Sequence, residues 1–386
     1  MEQTIERSWL TGKYLIHLLE SVLKGSRPQE KPEEVFFGEL FQLAQFHSVA
    51  NIAWYGIEQL KVMPEDPLSA QWRDLRDRQV VKSFIQQAEY EAIITKLTQH
   101  EIHVLPVKGS QLRLMYPQAD FRTMADLDIL ASEDRMEDVK RLLQEMGYSV
   151  ELFDRGNQDV YYKPPVMNIE MHRSLMPERV SYAGYYANEI VWGRSIPAET
   201  NPFLHRMSWS DFYIYLTTHF HKHYSNGGSG IRSLLDVHIF LTAHQADLDE
   251  AYISAELEKI GLNEFRLQAE KVADRWFGRS DPQDDQSLSD PSETTKMEQY
   301  ILGSGTYGTI DNHVQNGIAA ESGSKLRYVL KRTLLPYAEM KNQYPILRKG
   351  PILLPLCWSH RLIKAVLFKR DRIQEEVALV QQSLKK

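Results

Sequence analysis

Two aspartates separated by one leucine carry the clearest chemical signal in this 386-residue sequence. In the stretch ADLDIL, Asp126 and Asp128 lie within an apolar segment that is typical of a β-strand. Side chains alternate along a strand, so both carboxylates project from one face with α-carbons ~7 Å apart. Two anions this close disfavour each other's ionised state unless they share a proton or a cation, and a divalent metal is the commonest answer. The spacing therefore predicts a metal site.

A third carboxylate is available in the later stretch VMNIEMHR. Strand alternation there places Asn168, Glu170 and His172 on one face. If this strand pairs beside the one that carries Asp126 and Asp128, Glu170 completes a set of three acids. Such a set can hold two metal ions that bind a nucleoside triphosphate and activate an attacking hydroxyl for in-line displacement.

Lys108, Gly109 and Ser110 form a turn ahead of a short predicted helix near 110–116. Glycine lets backbone N–H groups approach an anion, and Ser110 can donate to a terminal phosphate at the helix N-terminus. Lys108 adds a positive charge there. Arg122 precedes Asp126 by four residues, and it either makes a bidentate phosphate contact or neutralises the acids structurally. Lys108 has the same two interpretations.

The elements that must position these residues divide the chain into three predicted regions. Residues 1–100 have the apolar spacing of helices, residues 101–200 change to short strands with a helix over about 132–146, and residues 201–386 return to helices. The fold class predicted is therefore α+β, a small mixed sheet embedded between a helical N-terminal unit and a helical C-terminal bundle. A Ser, Asp and Pro-rich stretch at 278–295 predicts an exposed loop within the last region.

Two other segments of the C-terminal region could do chemistry. His219, His221 and His223 could bind zinc, line the cleft that holds the acids, or simply pack, and no cysteine lies nearby to complete a zinc site. Arg232 and Asp236, four residues apart on the next predicted helix, most simply form a local ion pair, and the pair could equally orient one of these histidines. The Gly-rich segment 303–308 is not preceded by a strand or followed by the lysine of a P-loop, which favours a loop.

Composition indicates an ordinary globular chain, with 42% apolar and 25% charged residues and a net charge of −7. No uninterrupted apolar run approaches the ~18 residues of a membrane helix, and the N-terminus is not typical of a signal peptide, so we expect a cytoplasmic protein with no membrane partner. The single cysteine excludes an internal disulfide. Residues 325–372 hold twelve Lys and Arg against two acids, a basic band that could meet phosphates or an acidic partner, or form a solvated helix face.

The order of these parts resembles the DNA polymerase beta-like nucleotidyltransferase superfamily, and more closely an uncharacterised bacterial nucleotidyltransferase family within it. The family pattern is similar to segments of this sequence over about 100–245, and the resemblance is weaker toward the C-terminus. The matching segments are Val107–Gly109, Tyr116, Arg122, Asp126–Leu130, Gly147–Tyr148 and Glu170–His172. Val107 replaces a frequent leucine, and the interval from Ser110 to Asp126 is slightly longer than the usual superfamily spacing.

The resemblance implies transfer of a nucleoside monophosphate from a nucleoside triphosphate such as ATP to a hydroxyl, with release of pyrophosphate. It implies that Asp126 and Asp128 hold Mg²⁺, with Mn²⁺ as an alternative, and that Glu170 assists the metal or acts as a base. Gly109 and Ser110 would grip the phosphates. His172 would contact the nucleotide or acceptor, or make an outer hydrogen bond.

The acceptor implied is a small molecule, a peptide or protein side chain, or an RNA end. The alternative from a different class is a non-catalytic nucleotide-binding or regulatory module of the same fold. The presence of all three acids counts against that alternative. A metal-dependent phosphohydrolase would need clusters of His and Asp at several strand ends, which the sequence does not show.

Overall fold

The computed structural model describes residues 2–278, 292–368 and 370–382. Within these ranges seven strands form one mixed sheet. The strands are β1 (Val104–Pro106), β2 (Leu127–Ala131), β3 (Ser149–Leu152), β4 (Gln158–Lys163), β5 (Met167–His172), β6 (Ile196–Ala198) and β7 (Asn201–Arg206). Their spatial order is β3-β4-β5-β2-β1-β7-β6. The pairs β2–β5 and β1–β7 are parallel, and the other neighbours are antiparallel.

Helices precede, interrupt and follow this sheet. The helices before and within it are α1 (Glu2–Leu23), α2 (Phe37–Phe46), α3 (Ala50–Ile57), α4 (Leu68–Gln99), α5 (Gly109–Leu112), α6 (Met136–Glu145) and α7 (Asn188–Arg194). Those after it are α8 (Trp209–Asn226), α9 (Ile231–His244), α10 (Glu250–Lys259), α11 (Asn263–Ala273), α12 (Ser292–Ser304), α13 (Ile310–Ala320), α14 (Lys325–Thr333), α15 (Tyr337–Gln343), α16 (Leu354–Phe368) and α17 (Arg370–Gln382).

The predicted α+β class, a small mixed sheet between helical flanks, is confirmed. Five strands lie where the sequence places them, but β6 and β7 extend the sheet beyond the prediction. Prolines at 197 and 202 hide these two strands, because proline cannot donate to a sheet and is unusual within a strand pattern. The three-region division of the chain stays a prediction.

Apolar side chains pack on both faces of the sheet, which explains why β2 is buried along its whole length. Leu127 and Ile129 join side chains of α4 and α6 in one core cluster. Leu130, on the opposite face, joins the large cluster formed by the N-terminal helices, α8 and α9. Asp128 shares the face of Leu130 by strand alternation, so its carboxylate is directed toward the helical side.

Two C-terminal predictions need comment. The predicted loop 278–295 lies outside the described residues over 279–291, and from Ser292 onward the chain is the helix α12. The predicted single helix from about 357 to 384 is observed as α16 and α17. Among the described residues, one helical stretch, Pro351–Phe368, is long and apolar enough to cross a membrane by length and composition, with a mean hydropathy of 1.3 and 6% of it buried.

Candidate functional site

The two acidic strands are direct neighbours in the sheet. Strands β2 and β5 run parallel with Asp128 opposite Glu170, and His172 lies two residues further along β5 on the same face. The condition on which the third acid depended, pairing of its strand beside the Asp128 strand, is therefore met. Asp126 immediately precedes β2 and is half-buried.

Asp128, Glu170 and His172 form a compact group of potential metal ligands. Their ligand atoms lie within 4.8 Å of one another, and no other such group occurs in the described ranges. Asp128 Oδ1 accepts from His172 Nε2 at 2.7 Å and from Lys108 Nζ at 2.5 Å. His172 Nε2 lies 3.9 Å from Glu170 Oε2. Asp126 is not part of this compact group, although its charge contributes to the raised pKa of Glu170.

The carboxylates perturb one another strongly. Burial, and then the charges of Asp126 and Asp128, raise the pKa of Glu170 to about 7. Burial and Asp128 likewise raise the pKa of Asp126. Burial alone would also raise the pKa of Asp128, but the charge of Lys108 and the hydrogen bond from His172 hold that pKa well below its usual range. Asp128 is thus the carboxylate that the protein keeps ionised.

This donor set fits a hard divalent cation. Among the described residues, Lys108 is the cation that hydrogen-bonds to one of the three carboxylates, so carboxylate oxygens of Asp126 and Glu170 remain available as hard ligands. Burial lowers the pKa of His172, so its imidazole is neutral and adds no charge. The Nε2 atom of His172 is engaged by Asp128, so its role is to orient a ligating carboxylate rather than to bind metal itself.

The Lys108-Gly109-Ser110 turn lies beside Asp128 but is built differently from the prediction. Lys108 adopts a φ of 51°, a conformation that is rare for a residue with a side chain, and its ammonium is thereby brought to Asp128. Gly109 lines the cleft, and a β-carbon there would clash with the guanidinium of Arg122. The need for glycine is therefore a matter of packing.

Ser110 and His172, both predicted to bind nucleotide, are not brought into the cleft. The Ser110 hydroxyl is buried and donates to the backbone oxygen of Val107 at 2.8 Å. His172 is buried behind Asp128, which matches the alternative of an outer hydrogen bond. Neither residue contributes to the cleft wall. The Ser110 hydroxyl, which was predicted to contact a phosphate, instead donates its hydrogen bond to a backbone carbonyl of the same turn.

Arg122 contacts neither Asp126 nor Asp128 through a hydrogen bond. Its Nε and Nη2 atoms donate to the two carboxylate oxygens of Asp236 at 2.8 and 2.9 Å, and the Tyr116 hydroxyl donates to the same carboxylate at 2.7 Å. Asp236 therefore does not form the expected ion pair with Arg232, which donates instead to the backbone oxygen of Thr123. This buried network joins α9 to the segment before β2 while Arg122 still borders the cleft.

The acids form part of the wall of a cleft of about 1000 Å³. The helix α8 contributes Tyr215, His219, Lys222 and His223 to the wall, at the spacing of one helical face. Of the interpretations considered for the histidines, lining the cleft is observed for all three, His219, His221 and His223. The Nε2 atoms of His219 and His223 are 3.1 Å apart. Further cations along the wall are Arg155, Arg179, Arg232 and Lys331.

Lys222 is the functional candidate that the sequence analysis missed. Burial and the charge of Lys108 lower its pKa from 10.5 to about 8. In the part of the chain that the structure describes, its ammonium has no hydrogen-bond or ion-pair partner. The signal was present in the spacing: Lys222 follows Tyr215 by seven residues and His219 by three, which places all three on one face.

Comparison with known proteins agrees with this geometry. A family model described as "Uncharacterised nucleotidyltransferase" matches residues 33–278, well over half of the chain and including every acid of the site. No curated protein and no solved structure matches the chain. By the extent of that match, the chain belongs to the uncharacterised nucleotidyltransferase family.

Proposed function

We propose that the protein transfers a nucleoside monophosphate from a nucleoside triphosphate to a hydroxyl group, with Mg²⁺ or Mn²⁺ bound by Asp128, Glu170 and Asp126. The observation that carries this proposal is the register of β2 and β5, which sets Asp128 directly beside Glu170 in a cleft with cationic walls. A divalent ion bound there would offset the charge of the triphosphate and of the attacking oxygen.

The chain's own residues have distinct tasks in this scheme. Asp128, held ionised by Lys108 and oriented by His172, is the principal ligand. Glu170 either completes the ligand set of the ion or accepts the proton of the acceptor hydroxyl. Burial beside two other acids raises its pKa to about 7 in the metal-free site, and a bound divalent cation would lower that pKa. Lys222 lines the same cleft from α8, and within the described residues its ammonium makes no hydrogen bond or ion pair, so a triphosphate oxygen would supply a partner.

The acceptor is a small molecule, a peptide or protein side chain, or an RNA end, and a cytoplasmic setting with its high nucleotide concentration suits the reaction. The test is incubation of the protein with each labelled nucleoside triphosphate and Mg²⁺, alone and with cell extract. Pyrophosphate release and transfer of label are expected for wild type. Both should be lost in Asp128→Asn and kept in Asp77→Asn, an exposed control on α4.

A non-catalytic nucleotide-binding module remains the second candidate, because the ion pair between Lys108 and Asp128 occupies a carboxylate that a metal needs. The two functions give different results in one experiment. If wild type and Asp128→Asn bind nucleotide equally and neither releases pyrophosphate with any extract, the transferase is refuted and the module is favoured. Circular dichroism of both proteins excludes loss of fold as the cause.

A further inference from the structure

The outer face of the helix α16 is apolar and uncovered. Side chains that follow one another at helical spacing on this face, together with Ile352 in the turn before it, are 59% to 91% exposed. They are Ile352, Leu356, Ile363, Val366 and Leu367, and Phe368 beside them is 77% exposed. We call these six residues the apolar ridge. Scattered exposed apolar residues are ordinary, but six of them along one side of a helix and the turn before it, interrupted on that side by Ser359 and His360, mark an interaction surface.

The inner face of α16 fixes the ridge in place. Cys357 is buried in a small cluster with Met340 and Leu347. The indole of Trp358 donates to the backbone oxygen of Leu335 at 2.9 Å, and the guanidinium of Arg361 donates to backbone oxygens at the end of α14. The helix is therefore apolar on both faces, and only one of them is used within the chain.

Positive charge surrounds the ridge. Lys349 precedes it, Lys364 flanks it and Arg370 follows it, and all three are exposed. They belong to the basic band of residues 325–372, which holds twelve Lys and Arg against two acids. An apolar strip bordered by cations is the composition that binds an anionic bilayer surface, because acyl chains accept the apolar side chains while lipid phosphates meet the cations.

The length of α16 decides between lying on a bilayer and crossing it. Its 15 residues extend only ~22 Å, and the whole apolar stretch of 18 residues, Pro351–Phe368, extends only ~27 Å at the helical rise. The hydrocarbon core is ~30 Å thick, and Arg361 and Lys364 lie within this stretch. If α16 crossed the bilayer, the cations Lys349 and Arg370 at its two ends would also have to lie on opposite sides of the membrane. We propose that the apolar ridge and its flanking cations dock the protein on the surface of an anionic lipid bilayer, with α16 parallel to the membrane plane.

This proposal differs from the expectation of no membrane partner, which stays a prediction. That expectation rested on the lack of a long uninterrupted apolar run, which is a criterion for spanning helices. A helix in the interfacial plane needs only one apolar face, so an uninterrupted apolar run is not required for it. The docking surface is separate from the acidic cleft and does not depend on the reaction proposed for it.

The test is flotation of the full-length protein with phosphatidylcholine vesicles, with and without phosphatidylglycerol. We expect binding to the anionic vesicles only, weakened by salt. The double variant Ile363→Glu with Leu367→Glu should reduce binding by at least about tenfold, and Lys364→Glu by about fivefold or more. Val81→Glu with Phe84→Glu, two exposed apolar residues of α4, is the matched control and should bind as wild type.

Several results would overturn the proposal. One is equal or absent binding to both kinds of vesicle. A second is a concentration-dependent dimer that the Ile363/Leu367 double variant abolishes, without vesicle binding, since it would assign the ridge to a second copy of the chain. A third is resistance of vesicle-bound protein to alkaline carbonate, since it would indicate a spanning helix. Melting curves of each variant ensure that a loss of binding is not a loss of fold.

Discussion

Replacing Lys222 by Met should make the protein more stable and bind nucleotide less well. The ammonium of Lys222 is partly desolvated, and burial together with Lys108 lowers its pKa from 10.5 to about 8. Below pH 8 the residue is charged in both the folded and unfolded chains, but the folded chain disfavours that charge. The resulting penalty is fully present at neutral pH, declines as the pH rises from about 8 to 10.5, and is absent above that range.

The size of the effect follows from this difference in pKa. It corresponds to about 3 kcal/mol, and the remaining solvent contact of the side chain reduces it to about 1–2 kcal/mol. Met keeps most of the aliphatic volume, so we expect Lys222→Met to raise the free energy of unfolding by that amount at neutral pH. A lost charge-assisted hydrogen bond to phosphate costs about 1.5–3 kcal/mol, so triphosphate affinity should fall at least about tenfold.

Urea unfolding and calorimetric titration with a nucleoside triphosphate measure the two quantities on one protein. Lys61→Met is the control, because Lys61 is exposed and does not line the cleft. It should change neither the free energy of unfolding nor the nucleotide affinity. Lys222→Arg should keep much of the affinity because it keeps the charge. A variant Lys222→Met that unfolds more easily would contradict the desolvation argument. Unchanged nucleotide affinity would show that Lys222 does not contact the triphosphate.

Three further predictions concern the frame around the cleft. Gly109→Ala should destabilise the protein by about 1–3 kcal/mol in urea unfolding, because its β-carbon would displace the Arg122 guanidinium. Arg122→Lys should cost about 3 kcal/mol or more, since a lysine cannot restore the bidentate contact with the buried Asp236, and a small change would contradict this role. Burial lowers the pKa of His47 from 6.5 to about 4, so stability should fall as the pH drops between these values, by up to about 3 kcal/mol. Urea curves of His47→Gln should lack this part of the pH dependence, and parallel curves would refute it.

Local patterns were sufficient to predict the acidic side of the site. Alternation in two short strands placed Asp128 and Glu170 each on one face of its strand, and their convergence was predicted only on the condition that the strands pair, which the structure shows. Alternation also put Asp126 on that face, although the strand begins one residue later and leaves Asp126 outside the compact group. A boundary error of one residue is enough to change which carboxylates converge.

Long-range partners could not be predicted in the same way. Asp236 has Arg232 at helical spacing on its own helix, which makes a local pair the simplest expectation. Its observed partner, Arg122, is 114 residues away and reaches it only because α9 packs beside the segment before β2. The lysine that holds Asp128 depends likewise on the positive φ of Lys108, a conformation that sequence patterns rarely indicate.

The cleft is lined by two parts of the chain, one inside the range that the family model matches and one outside it. The acids, Lys108 and Lys222 all lie within the matched residues 33–278. Another part of the cleft wall is formed by residues within 306–331, which lie outside the match. This part includes the exposed ring of Tyr307. Groups that handle metal and triphosphate must keep their geometry in any nucleotidyltransferase, whereas an acceptor site must differ between enzymes that modify different hydroxyls. For the transfer proposed above, we therefore expect the lining residues within 306–331 to contact the acceptor rather than the triphosphate.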